Sequence, residues 1–167
     1  MSKASRMGII EDGTYEVVVE TDAKGKMNRA PMGLIKKDDT LILKVYEESD
    51  TYKNLSESGE GRIYIVEDPR FLHESDNPRW SAMALFTVKA SSGKDPAVFE
   101  LEVGGVKSLK QDVKAINRAP GLFTEFLIDY SRKDIDEEAA GRLEHYRKVI
   151  AKVAPDSYYK KKVEELR

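Results

Sequence analysis

Tyr15-Glu16-Val17-Val18-Val19-Glu20-Thr21, Asp22-Ala23-Lys24-Gly25-Lys26, Pro31-Met32-Gly33-Leu34-Ile35 and Thr40-Leu41-Ile42-Leu43-Lys44-Val45-Tyr46 decide the fold class. The first segment is short and rich in β-branched residues. It predicts a strand that ends in a turn where Gly25 is free to take a positive φ. The last two segments flank Lys37-Asp38-Asp39, a tight polar turn, and predict a hairpin. Three further runs of the same kind follow: Gly61–Val66, Met83–Val88 and Ala97–Val103. In the last, Glu100 and Glu102 alternate with Phe99, Leu101 and Val103, so one face of that strand is turned to water.

Two short helices are predicted among these strands. Thr51–Ser58 has Ser49 and Asp50 as candidate caps and stops at Gly59. Pro69–Leu72 makes a single turn after Asp68. Beyond residue 115 the pattern changes. Gly121–Tyr130 carries apolar residues at helical spacing behind Pro120. Ile135, Ala139, Leu143, Tyr146, Ile150 and Val153 then form one face of a longer helix. Acidic residues at its start and lysines at its end complement the helix dipole. Pro155 stops it, and Asp156 is a candidate cap for a last helix carrying Tyr159, Val163 and Leu166. Strands first and helices after imply an α+β fold: a mainly antiparallel barrel or sheet with a C-terminal helical appendage. The expected division is residues 8–115 for the barrel and 116–167 for helices packed upon it.

Composition narrows the function classes. The 167 residues carry 28 Lys+Arg and 30 Asp+Glu, a net charge of −2, so no basic excess speaks for nucleic acid. The absence of cysteine removes thiol catalysis, disulfides and thiolate metal sites. No apolar stretch is long enough for a membrane span or signal peptide, and a cytoplasmic protein is the expectation. Phosphate-loop, nucleophile-elbow, dinucleotide and zinc-protease motifs are all missing. His73 and His145 stand alone and read as surface residues, so no metal site is expected. The acidic pairs read as solvated faces, and Tyr158–Lys162, followed at once by Glu164 and Glu165, reads as a solvated helix end.

Two segments carry more. Asn28-Arg29-Ala30-Pro31-Met32-Gly33 puts little bulk on an extended backbone, which a flat heteroaromatic ring could approach closely. From these residues alone, a strand start that tolerates proline at an edge is the stronger reading. Ser49-Asp50-Thr51-Tyr52-Lys53-Asn54 offers two hydroxyls and a helix N-terminus, the donors that a phosphate needs. Ordinary N-capping explains it equally well.

Together, and in this order, the two segments resemble the FMN-binding split barrel of flavin-reductase-like proteins. Ile116-Asn117-Arg118-Ala119-Pro120-Gly121-Leu122-Phe123-Thr124-Glu125-Phe126, running on to Ser131-Arg132, is similar to the corresponding helix of a mostly archaeal family of uncharacterised split-barrel flavoproteins. The pattern from Asn28 to Asn54 is similar to that same family. The resemblance implies a split β-barrel that binds FMN, with Asn28, Ala30, Pro31, Met32 and Gly33 at the flavin ring. It implies Ser49, Thr51 and Asn54 at the ribityl chain and phosphate. Asn117 and Arg118 either line the pocket or buttress their helix, and for Arg118 pairing with a carboxylate at a helix start is an equal alternative. Relatives carry a basic residue where this chain has Asp50, so Lys44, Lys53 or Arg118 would have to supply the positive charge. A homodimer with FMN at the subunit boundary is implied, as is a nicotinamide or other electron donor. Tyr46, Tyr52 and Trp80 are candidates to shield the ring. Three functions fit: an FMN-dependent oxidoreductase, a non-catalytic flavin-binding or electron-transfer protein, and a barrel that has lost flavin and binds a protein partner.

Overall fold

The computed structural model describes residues 1–132 and 134–166; Lys133 and Arg167 lie outside the described residues. Six strands form a closed barrel in the order β1-β2-β3-β6-β5-β4. They are β1 (Gly13–Ala23), β2 (Lys26–Lys37), β3 (Thr40–Val45), β4 (Glu60–Ile65), β5 (Ala82–Ser92) and β6 (Ala97–Ser108). The helices are α1 (Lys3–Arg6), α2 (Asp50–Ser58), α3 (Arg70–His73), α4 (Ala119–Tyr130), α5 (Glu137–Val153) and α6 (Tyr158–Glu165). The chain divides into two compact units. One holds Met1–Ile10 and Tyr15–Ile116; the other holds Glu11–Thr14 and the residues from Asn117 onward.

The barrel follows from the turns and from strand patterning. Lys24 and Gly25, both at positive φ (52° and 76°), make the two-residue loop that right-twisted strands favour between β1 and β2. The second hairpin turns at Asp38, also at positive φ. Leu34, Leu43, Ile63, Phe86 and Phe99 fill the interior, together with Met7 and Ile9 from the segment after α1. The run Val17-Val18-Val19 is wholly buried because both faces of β1 are covered. Val17 and Val19 point into the barrel, while Val18 packs outside with Tyr64 and Val66 under Phe71, Leu72 and Trp80. In β6 the exposed Glu100 and Glu102 alternate with buried Phe99, Leu101 and Val103, as the sequence pattern predicts.

Several elements extend beyond their sequence signals. β2 starts at Lys26, not at Pro31, because the short loop lets pairing resume at once. β5 and β6 run on past Val88 and Val103, with two register shifts along their shared ladder. α1 has no apolar periodicity and was not expected; Ser2 caps it by accepting from Ser5 N.

In the helical unit α4, α5 and α6 bury Phe126, Leu143, Ile150 and Val163. The predicted face of α5 is found except for Ile135, which is 47 % exposed. Asp136 caps the helix by accepting from Ala139 N at 2.7 Å, so Ile135 falls before its start. The cap of α6 is Ser157, not Asp156, since Ser157 Oγ accepts from Lys160 N.

Candidate functional site

β2 has two halves. Its ladder to β3 is described for Leu34–Lys37, with Leu34 opposite Leu43. Continued, that register sets Val45, the last residue of β3, opposite Met32. Residues 26–31 therefore run past the end of β3. A two-residue hairpin also fixes which backbone groups face away from β1: those of residues 29, 31 and 33. Pro31 sits at one of these positions, where its missing N–H removes nothing from the ladder. The open edge beyond Val45 thus presents the Arg29 N–H and the carbonyls of Arg29 and Pro31, while Gly33 falls opposite Lys44 of β3. Ala30, Met32 and Gly33 are half-buried and Pro31 is exposed.

α2 lies against this unpaired half. Its N-cap is Ser49, whose Oγ accepts from Tyr52 N at 3.1 Å and donates to the Tyr46 carbonyl at 2.8 Å. Gly59, at φ 67°, closes the helix with its N–H on the Leu55 carbonyl. Asn28 donates through Nδ2 to Thr51 Oγ1 at 2.9 Å, which joins the strand segment to the helix start. Thr51 is only 2 % exposed, so its hydroxyl serves mainly to orient Asn28. Asn54 is buried, and its Nδ2 donates to Lys26 O (2.9 Å), Thr21 O and Thr21 Oγ1 (3.2 Å each), stapling α2 to the β1–β2 hairpin.

A cavity of about 460 Å³ lies between the hairpin tip and α2. Lys24, Lys26, Asn28, Asp50, Lys53 and Asn54 are among its lining residues. Asp50 is the first residue of α2, and its carboxylate turns along the helix to Lys53 at 3.2 Å. Lys24 pairs with Glu57. Lys26 has no ionic partner among the described residues.

Arg29 leaves β2 on the opposite face from Asn28. Its Nε donates to Glu20 Oε2 at 2.5 Å and a terminal nitrogen donates to the carbonyl of Asp76. Arg62 donates to Glu20 Oε1 at 2.6 Å, and the Tyr64 hydroxyl to Oε2 at 3.2 Å. Burial pushes the Glu20 carboxyl up, but these donors more than offset it and hold it below the ordinary carboxylate value. The sequence signal for Glu20 is a carboxylate in an otherwise apolar β-branched run, with an arginine nine residues on across a two-residue turn. That signal carried no functional assignment.

The structure thus brings Asn28, Ala30, Pro31, Met32, Gly33, Ser49, Thr51 and Asn54 together on β2 and the start of α2. Asn117 and Arg118 lie in the helical unit. Asn117 donates to the Val153 carbonyl at 2.9 Å and accepts from Ala119 N at 2.8 Å, which fixes the start of α4. Arg118 is the N-cap residue of α4 and makes no side-chain capping bond. Of the three candidate shielding aromatics, Tyr52 packs edge-on to Phe99 and Trp80 against Tyr64. Tyr46 is 65 % exposed. His73 and His145 are exposed, and no group of residues able to hold a metal ion occurs among the described residues. No described helix is long and apolar enough to cross a membrane.

Residues 15–82 match the family model for the N-terminal domain of a protein of unknown function, DUF447. No curated protein sequence matches the chain. Among solved structures, an FMN-bound protein of the DUF447 family from Methanosarcina mazei is similar over nearly the whole length. It has 19 % identity and a TM-score of 0.58, covering 98 % of this chain and 97 % of that one. A flavoredoxin from Methanosarcina acetivorans is 12 % identical with a TM-score of 0.51, covering 63 % of this chain and 75 % of its own. The styrene monooxygenase flavin reductase of Pseudomonas putida S12 is 10 % identical with a TM-score of 0.50, covering 62 % and 90 %. The flavin-reductase-like barrel inferred from the motif order is the fold of this chain.

Proposed function

We propose that this protein binds FMN along the open half of β2 and at the start of α2, and that it is an oxidoreductase of flavin-reductase type. The observation that carries the reading is the strand edge beyond β3, which offers the Arg29 N–H and the Arg29 and Pro31 carbonyls beside small residues. A ring whose own donors and acceptors lie in one plane fits such an edge. The first-turn N–H groups of Asp50 and Thr51, free of intrahelical partners, and Lys26 and Lys53 suit a phosphate in the adjoining cavity. Pairing with Lys53 draws the Asp50 carboxylate along the helix and blunts its repulsion of that phosphate. Tyr46 is the exposed aromatic free to cover the ring. FMN bound there would supply the hydride- and electron-transfer chemistry; the chain's residues bind it and orient it. The FMN-bound relative from Methanosarcina mazei supports the cofactor, and the flavin reductase and flavoredoxin likenesses support the class. The reading includes a nicotinamide donor and a homodimer with the cofactor at the subunit boundary.

The test is visible absorbance after FMN is added and the excess removed, followed by consumption of reduced nicotinamide. Retained flavin with turnover supports the oxidoreductase. Retained flavin without turnover makes the protein a carrier or electron-transfer partner. Failure to retain flavin overturns the reading.

A further inference from the structure

The open half of β2 lacks the ladder that steadies its other half, yet two consecutive residues tie it down on opposite faces. Asn28 holds Thr51 of α2 on one side. Arg29 holds Glu20 of β1 and the Asp76 carbonyl of the loop after α3 on the other. Placing a carboxylate that is 4 % exposed within the barrel wall, with two arginines against it, is not an economical way to gain stability. An apolar cluster of similar volume commonly does as well or better. What the ionic arrangement adds is direction: a planar guanidinium meets two acceptors at once and fixes its own backbone in register.

We propose that Arg29 is a positioning residue, which through Glu20 and the Asp76 carbonyl holds the edge from Arg29 to Gly33 in the geometry a flavin ring requires. The proposal rests on the FMN reading above for its ligand, but the restraint on the strand edge is measurable without it. The Arg29 side chain touches no flavin in this scheme. It acts by limiting the motion of the residues that follow it.

The test uses Arg29→Lys, which keeps the charge but cannot reach both acceptors, and Glu20→Leu combined with Arg29→Met, which replaces the ion pair by packing. Arg70→Lys is the control, because Arg70 pairs with Asp68 outside this cluster. Two quantities are read: the FMN dissociation constant by quenching of flavin fluorescence, and amide hydrogen exchange of Ala30, Met32 and Gly33 in the flavin-free protein. Losing one charge-assisted bond predicts about a tenfold rise in the dissociation constant for Arg29→Lys, with exchange at the three amides faster by a similar factor. The double variant should melt at or above the wild-type temperature and still bind FMN more weakly. A purely structural pair would not separate those two readouts. Arg70→Lys should match the wild type in both. Wild-type affinity and wild-type exchange in Arg29→Lys would overturn the proposal. If the wild type itself fails to bind FMN, the functional reading falls, and exchange alone decides: acceleration confined to the three amides supports the restraint, and no acceleration overturns it.

Discussion

The two halves of β2 obey different rules. From Leu34 to Lys37 the strand is paired with β3, and Leu34 is wholly buried. From Lys26 to Pro31 it extends past the end of β3, keeps pairing only on its β1 side, is half-buried or exposed, and is held on the open side by side chains in place of a β3 ladder. Where backbone pairing supplies the order, the side chains are free to build a core. Where it stops, backbone groups become available to a ligand, and side-chain bonds from Asn28 and Arg29 supply the order instead.

The largest effect is expected in the paired half. Leu34→Ala should cost about 2–5 kcal/mol in a denaturant melt, while the folded fraction keeps its FMN affinity. Thr51→Ala should show the opposite balance. Loss of the Asn28 anchor costs only about 0.5–1.5 kcal/mol of stability but weakens flavin retention about tenfold. If Leu34→Ala weakens FMN as strongly as Thr51→Ala, the two halves are not functionally distinct.

Acid sharpens the same contrast. Because Arg29 and Arg62 hold the native Glu20 carboxyl low, its contribution is fully present above the unfolded value, near 4.5, and is lost as pH falls through the lowered native value. Glu20→Gln should flatten that part of the stability profile. In the helical unit Asp129 is held low by Arg142, against the opposing effect of burial, so its contribution also drains on the acid side and persists in Glu20→Gln. Pro31→Ala should change stability by less than about 1 kcal/mol, since no β3 residue lies opposite to use the added N–H. Asp50→Asn, the smallest change, should tighten FMN only a few-fold, because Lys53 already draws that carboxylate away.

Much of this fold was legible in the sequence because turns and alternation are local signals. Gly25, Lys37-Asp38-Asp39, Ser49 and Gly59 marked the hairpins and the α2 caps, and the Phe99–Val103 alternation marked a half-solvated strand. The extent of β2 was not legible, because residues 26–30 carry no strand pattern of their own and are extended through pairing with β1 across the two-residue loop. The motif segments identified the neighbourhood of the candidate site but not the division of labour within it. Asn54 reads as a polar residue at a helix start; only the fold shows its amide committed to Thr21 and Lys26. The Asn28–Thr51 bond spans 23 residues, and no periodicity reports it. Glu20 and Arg29 are close in sequence, yet their pairing becomes visible only once the two-residue loop sets them opposite each other.

The most direct test of the central claim is amide hydrogen exchange of the intact protein with and without FMN. The account predicts added protection at Arg29 and at the Asp50 and Thr51 amides of the first turn of α2, with the amides of Leu34–Lys37 and of the β5–β6 ladder unchanged. Protection that appears elsewhere and leaves Arg29, Asp50 and Thr51 untouched would contradict it.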